Sequence, residues 1–344
     1  PVRDEEGHPL PGIGIEDCGE KVGLHGVDNG RLELRTVRIP RENLLDRFGK
    51  VTADGSYRSP IASPGRRFFT MLRTLVEGRI SIALGSLSAT KTGLAIAIRY
   101  SDRRRQFGPS GKPEVPILDY LTQQRALFPA LATTYGLHFA VRDLAQSYAD
   151  GETDEERASV ELLAAALKAL ASRNALETLQ TCREAMGGRG YLAANRIGYL
   201  REDIDIFTTF EGTNVVLLQL VAKGLLTEYR NELGDLRLWG TVKHLGELAG
   251  EEAQRRNPVR SRRTGEDFLR DPETQMDAFT FRESRLRHTV AWRLKSRIDE
   301  GMDSFRAMNE CQDHLLALAR AHGERIVLER FRAAVDQAKT SEEA

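Results

Sequence analysis

The 344-residue chain can hold two domains or one large one with a sizeable core, and its 50 Lys plus Arg balance 50 Asp plus Glu. A formal charge of zero argues against nucleic acid or an anionic membrane surface as the principal partner, so any anion must be held locally. Cys18, Cys182 and Cys311 are scattered and lack CxxC spacing, which argues against a disulfide framework and a zinc knuckle.

No run approaches the roughly 20 apolar residues of a membrane span, and no basic-then-apolar signal opens the chain. The expectation is a soluble, cytoplasmic protein. Pro1 stands first and the opening residues already read as mid-domain strand and turn, so the chain is expected to be an excerpt or a processed form.

In chain order, residues 1–60 carry a β character that nothing later repeats. Gly12-Ile13-Gly14-Ile15, the alternation from Arg31 to Arg35, and Val37 to Ile39 before Pro40 fit short strands, with Asp28-Asn29-Gly30 as a turn. Gly55 to Arg67 reads as a Pro/Gly/Ser-rich link. From about Phe68 the apolar period becomes helical, and the first long helix is expected to end at Gly108. Ile117 to Asp150, Asp154 to about Met186, and the apolar run after Glu211 supply three more helices. Four long helices with modest connections argue an antiparallel bundle over 61–230. Residues 231–344 differ in texture, with an Arg-rich linker around Pro258 and a second helical region from Phe279 to Ala338.

The stretch Thr181 to Leu226 carries the candidate chemistry. Gly187, Gly188 and Gly190 permit positive φ and close approach to the backbone, and the N–H groups of such a turn suit an anion. Thr213 or Asn214 can cap the following helix, leaving Glu211 on a Gly-flanked connection where a carboxylate can reach a substrate. A helix C-cap followed by a solvated glutamate fits the same spacing. Arg79 lies inside an apolar helix, where it needs a partner, structural or a ligand phosphate. Arg104, flanked by Arg103 and Arg105, fits either a ligand contact or a cation at a helix C-terminus.

Other chemistries find little support. No metal-ligand cluster stands out among the seven histidines, and His314 and His322 are too far apart for a helical ligand pair. Gly108 to Lys112 is too short for a phosphate loop, and no Gly-x-Ser-x-Gly elbow is present.

Taken together, several ordered segments resemble the acyl-CoA oxidase and acyl-CoA dehydrogenase flavoenzyme family, the oxidase branch more closely. They are Tyr100-Ser-Asp-Arg-Arg104-Arg-Gln-Phe107-Gly108, Ile117 to Gln124, Leu127 to Ala132, Gly187-Gly-Arg-Gly-Tyr191, Phe210-Glu-Gly-Thr213, and, in the β part, Asp28 to Gly30 and Arg38 to Leu45. The resemblance implies a mainly α fold: the end of the family's middle β domain over 1–60, the C-terminal four-helix bundle of the acyl-CoA dehydrogenase type over 61–230, and an oxidase-like helical extension over 231–344. The N-terminal helical domain and the first half of the β domain would be absent.

It further implies that Glu211 removes the α-proton of a fatty acyl-CoA while the β-hydrogen leaves as hydride to FAD, giving a trans-2-enoyl-CoA, with oxygen as electron acceptor and hydrogen peroxide as co-product. Arg104, Phe107, Glu184, Gly187, Gly188, Thr213, Asn214 and Val215 match FAD contacts, the first two reaching the cofactor of a neighbouring subunit. Arg79 and Gly212 match substrate contacts. The family implies at least a homodimer, and a peroxisomal location in a eukaryote. An acyl-CoA dehydrogenase that passes electrons to a flavoprotein is the near alternative, which Thr213 favours. A non-catalytic helical assembly protein is the alternative from another class, motivated by Leu121 in place of the family's usual glutamine and by a carboxylate at Glu184, which would repel a phosphate unless turned away.

Overall fold

The alternating segments at the start of the chain pair as expected in part. In the computed structural model, which describes residues 1–151, 153–232 and 265–342, strand β1 (Ile13–Asp17) lies antiparallel to β2 (Gly30–Leu34), with Ile13 opposite Leu34 and Asp17 opposite Gly30. Gly30 therefore opens a strand instead of closing a tight hairpin. The longer loop before it is gathered by Lys21, whose ammonium donates to the Leu24 carbonyl (2.8 Å) and to Asn29 Oδ1 (2.9 Å). Val37 to Ile39, expected as a strand, is irregular: Thr36 takes a φ of 53° and turns the chain out of line, and Pro40 has no N–H for a ladder.

A short hairpin, β3 (Lys50–Val51) with β4 (Tyr57–Arg58), and helix α1 (Pro64–Leu72) occupy part of the stretch expected to be a link. Ser63 Oγ accepts from the Arg66 N–H at 3.3 Å, and Pro64 opens the helix, where its missing donor costs nothing. These elements form one of two compact units, residues 1–75; the other begins at Val76.

The second unit contains α2 (Val76–Arg103), α3 (Leu121–Asp150), α4 (Asp154–Ala185), α5 (Ile197–Phe207), α6 (Asn214–Glu232), α7 (Glu266–Arg270), α8 (Pro272–Asp299), α9 (Ser304–Glu310) and α10 (Gln312–Glu342). The single helix expected from Phe68 to Gly108 is interrupted by a 3₁₀ turn over Arg73–Leu75 and stops at Arg103, after which Gln106 and Val115 pair as extended backbone. Helix α4 starts on a capping box, Thr153 with Glu156, and α8 on Asp271 followed by Pro272.

Helix α4 is the axis. Ala164, Ala165, Ala166, Leu167, Ala171 and Ala175 are fully buried, and a helix apolar on nearly every side must be surrounded. On one side Ile80, Ala83 and Leu87 of α2 meet Leu137, Val141 and Leu144 of α3. On another, Leu217 and Val221 of α6 share a core with Val290 of α8 and Leu315 and Leu318 of α10. Close approach comes from glycine: Leu179, Leu162 and Leu170 of α4 lie where a Cβ on Gly93 (2.6 Å), Gly224 (2.7 Å) or Gly323 (2.7 Å) would be. Helices on both sides of residue 230 thus contribute to one core. The Arg-rich run around Pro258 lies outside the described residues.

Helix α2 is long and apolar enough to cross a membrane by length and composition, contrary to the expectation that no segment is. Half of its most apolar window is buried inside the bundle, so the same pattern serves packing.

Helices α8 and α10 are also joined by charge. Glu283 is buried and lies 2.9 Å from His322 Nδ1, and Arg325 donates to its other oxygen. Burial alone would raise its pKa; the bonds from His322 and Arg325 outweigh this and hold it at about 2. A carboxyl with a depressed folded pKa contributes stability above its unfolded value near 4.5, lost as pH falls toward 2. Unfolding free energies from urea titrations at pH 6 and pH 3 are expected to differ less in Glu283→Gln than in the native sequence, by about 2 kcal/mol.

Candidate active site at the start of helix α6

After α5 the chain closes a loop in which the Asn214 N–H donates to the Thr208 carbonyl (3.0 Å). Inside it Glu211 has φ 55° and Gly212 φ 103°. A glutamate in the left-handed region costs about 1–2 kcal/mol and persists where its surroundings over-determine it. The turn throws the Glu211 side chain onto α2. A Cβ built on Gly78 would lie 2.5 Å from Glu211 Cδ and 2.6 and 2.7 Å from its two oxygens, so the carboxyl rests in a cradle that only glycine leaves open. The solvated-glutamate reading does not fit this geometry.

Arg79 follows directly. It is 6% exposed, and its Nε donates to the Glu211 main-chain carbonyl across a long 3.4 Å. Its Nη1 and Glu211 Oε2 are both buried without a hydrogen-bond partner. Buried polar groups are nearly always bonded, so an orphaned donor and an orphaned acceptor in one site point to a missing third party. Burial lowers the Arg79 pKa from its usual value, and the charges of Glu161 and Glu211 oppose that.

Beneath the loop lies Lys168 of α4, fully buried. Its ammonium donates to the Gly212 carbonyl (2.7 Å) and to Asn214 Oδ1 (2.9 Å). Burial first, then the charge of Arg79, pulls its pKa down to about 8, while Glu211 acts the other way. Asn214 also accepts from Ser172 Oγ (3.3 Å), and its Nδ2 donates to that oxygen (2.9 Å) and to the Ala169 carbonyl (3.3 Å). Its side chain is thus turned into α4, and the cap position falls to Thr213. Thr213 and Val215 are exposed beside it.

The remaining sequence-derived candidates lie at the opposite end of the bundle. Arg104 follows the last residue of α2, some 35–40 Å along the helix from Arg79 at about 1.5 Å per residue. Arg104 and Phe107 are exposed, and Phe107 has φ 57°. Glu184, Gly187 and Gly188 close α4 at that same end, where Gln123 of α3 donates to Ser101 Oγ and to the Ala185 carbonyl, each at 2.8 Å. Glu184 is engaged by Gln180 and lies 3.6 Å from Arg183, so its charge is partly met within the chain. The glycine turn is a 3₁₀ helix, Gly187–Tyr191. Its steric demand falls on Gly190, where a Cβ would meet the Arg183 carbonyl at 1.9 Å; around Gly187 and Gly188 nothing stands within 4 Å of a built Cβ.

Sequence reasoning passed over Gly78 as part of the cradle, and Lys168 and Ser172 entirely. The available signal was a lone lysine among the alanines of 164–171, the same anomaly that drew attention to Arg79.

Residues 72–226 match the family model described as acyl-CoA oxidase, C-alpha1 domain, and residues 271–344 match the acyl-CoA oxidase model. Peroxisomal acyl-coenzyme A oxidase 2 of Arabidopsis thaliana is 48% identical over 97% of this chain and 49% of its own length. The acyl-coenzyme A oxidase-like protein of Mus musculus is 40% identical over the whole chain and 54% of its own. Arabidopsis thaliana acyl-CoA oxidase 1 superposes with a TM-score of 0.82 at 31% identity, over 97% of this chain and 51% of that one. Acyl-CoA oxidase-1 of Caenorhabditis elegans, solved with FAD and ATP, gives 0.80 at 29% identity over 98% and 49%. The bundle is that of the acyl-CoA oxidase class of folds, and the chain belongs to the acyl-CoA oxidase family. It spans about half the length of the curated relatives it matches.

The cradle can be tested without any assay of activity. Gly→Ala inside a helix ordinarily stabilises by roughly 0.5–1 kcal/mol. Gly78→Ala is expected to lose that gain beside Glu211 and to recover it in a Glu211→Ala background, measured as a double-mutant cycle of urea midpoints.

Proposed function

We propose that this chain carries the proton-abstracting part of an FAD-dependent acyl-CoA oxidase site acting on fatty acyl-CoA thioesters. The observation that carries the reading is the Glu211 carboxyl, held over Gly78 with one buried oxygen unsatisfied beside an unsatisfied Arg79 Nη1.

In this reading Glu211 takes the α-proton of the bound thioester. Arg79 keeps a positive charge beside the carboxylate and offers Nη1 to the substrate. The α C–H becomes acidic enough only where donors meet the charge developing on the thioester oxygen, and the Glu211 backbone N–H is proposed as one of them. FAD, when bound, supplies the acceptor for the β-hydrogen as hydride. Loss of both hydrogens gives the trans-2-enoyl-CoA, and oxygen completes the cycle with formation of hydrogen peroxide. The family includes relatives whose names place them in peroxisomes, and that location is proposed for this protein in a eukaryotic cell.

The residues fit such a cofactor at two places. Gly187 and Gly188 leave open space for a group to approach the backbone, and Arg104 supplies an exposed cation at the same end. Thr213 and Val215 lie exposed beside Glu211, and Asn214 would contribute through its main chain. The length of α2 separates the two places, which supports a homodimer in which Arg104 and Phe107 of one subunit complete the site around Glu211 of the other.

Glu211→Gln is expected to retain FAD and acyl-CoA binding while turnover falls by about a thousandfold, the range of general-base removal. Flavin absorbance and steady-state rates measured on one preparation decide it. A Gln variant with substantial turnover would remove Glu211 from the role.

A further inference from the structure

We infer that Lys168 is the positioning residue for Glu211: through the Gly212 carbonyl and Asn214 Oδ1 it locks the left-handed turn that aims the carboxyl at the substrate. The inference rests on Glu211 being the base.

Four observations converge on it. Lys168 is completely buried within a run of alanine and leucine over residues 162–171, and among the described residues no carboxylate is one of its hydrogen-bond partners. Its two acceptors lie on either side of Thr213, so one ammonium pins both the end of the turn and the first residue of α6. From α2 the turn's main chain receives only a long hydrogen bond, Arg79 Nε to the Glu211 carbonyl at 3.4 Å. Asn214 in turn is oriented by Ser172, one helical turn along α4 from the lysine.

Stability alone does not account for such a residue. Removing an ammonium from water is costly, and the nearby positive charge of Arg79 adds to the cost, as the drop in the Lys168 pKa reflects. A methionine would fill similar space without either penalty. What the lysine adds is direction: three donors on a fixed stem that can hold two oxygens at once. A turn with two consecutive positive φ values, one of them at glutamate, has other conformations open to it. In those the carboxyl leaves Gly78.

The decisive measurement isolates proton transfer. An acyl-CoA with sulfur in place of the β-carbon has no β-hydrogen to lose, so exchange of its α-hydrogen with D₂O, followed by mass spectrometry under argon, reports the base alone. With the FAD-loaded intact protein, Lys168→Met is expected to slow exchange per bound FAD by about 100-fold, the scale of a misplacement near 1 Å. Its affinity for the analogue and its thermal midpoint should not fall. Lys168→Gln keeps a donor and is expected to lose about tenfold. Either folded variant exchanging at the native rate overturns the inference, so the Gln protein decides if the Met protein does not fold. A loss of exchange that only tracks lost FAD or lost fold also overturns it. Glu211→Gln run in parallel separates the two claims: an inert Glu211→Gln beside native-rate Lys168 variants removes the lysine's role alone, whereas native-rate exchange in Glu211→Gln removes both.

Discussion

The end of the bundle that holds Glu211 depends on a backbone conformation that its own residues disfavour. Glu211 and Gly212 both take positive φ, and the turn they make exists because three helices grip it. Helix α2 offers a glycine where the carboxyl must lie, α4 offers an ammonium to the turn's last carbonyl, and α6 begins where Asn214 is tied back to α4. None of these grips works without the packing behind it. Lys168 reaches the turn because α4 is buried on almost every side, and α4 can be so buried because its alanines and the glycines of α2, α6 and α10 let the helices approach closely.

The same packing sets the two proposed binding regions apart. Helices α2 and α4 pack together, with Ile80 and Leu167 in one shared core and Leu179 lying against Gly93 toward the other end. They act as rigid spacers that set the glutamate and the glycine turn a fixed distance apart. On the proposed function, a cofactor that needs both regions would be served by pairing two copies, each lending its far end to the other's Glu211. The bundle is then as much a ruler as a scaffold.

Much of this was legible in the residues. The 3.6-residue period marked α3, α4 and α6 within a few positions, because long helices bury a regular stripe. Glu211 stood out as a carboxylate beside a glycine on a helix-to-helix connection, where it can reach a substrate, although a solvated glutamate fitted the same spacing. Arg79 stood out as a charge in an apolar run. The errors have local causes. Arg73–Leu75 continues the helical period in composition yet forms a 3₁₀ turn, where the Thr74 hydroxyl donates to the Met71 carbonyl. Thr36 turns the chain before Val37 to Ile39 can pair. Lys168 and the cradling role of Gly78 were missed for a different reason: their meaning lies in what faces them across the bundle, and no spacing within one segment carries that. The role of α8 and α10 in the α6 core was hidden similarly, since a change of composition near residue 230 resembles a boundary whether or not the later helices pack back.

The most direct measurement is the visible spectrum of the intact, FAD-loaded protein under argon as a saturated fatty acyl-CoA is added, followed by admission of air. Bleaching of the flavin band on addition, with rapid return in air and stoichiometric peroxide, is the expected result. A band that stays unbleached under excess acyl-CoA would contradict the account, and one that bleaches but persists in air would replace oxygen with a protein electron acceptor.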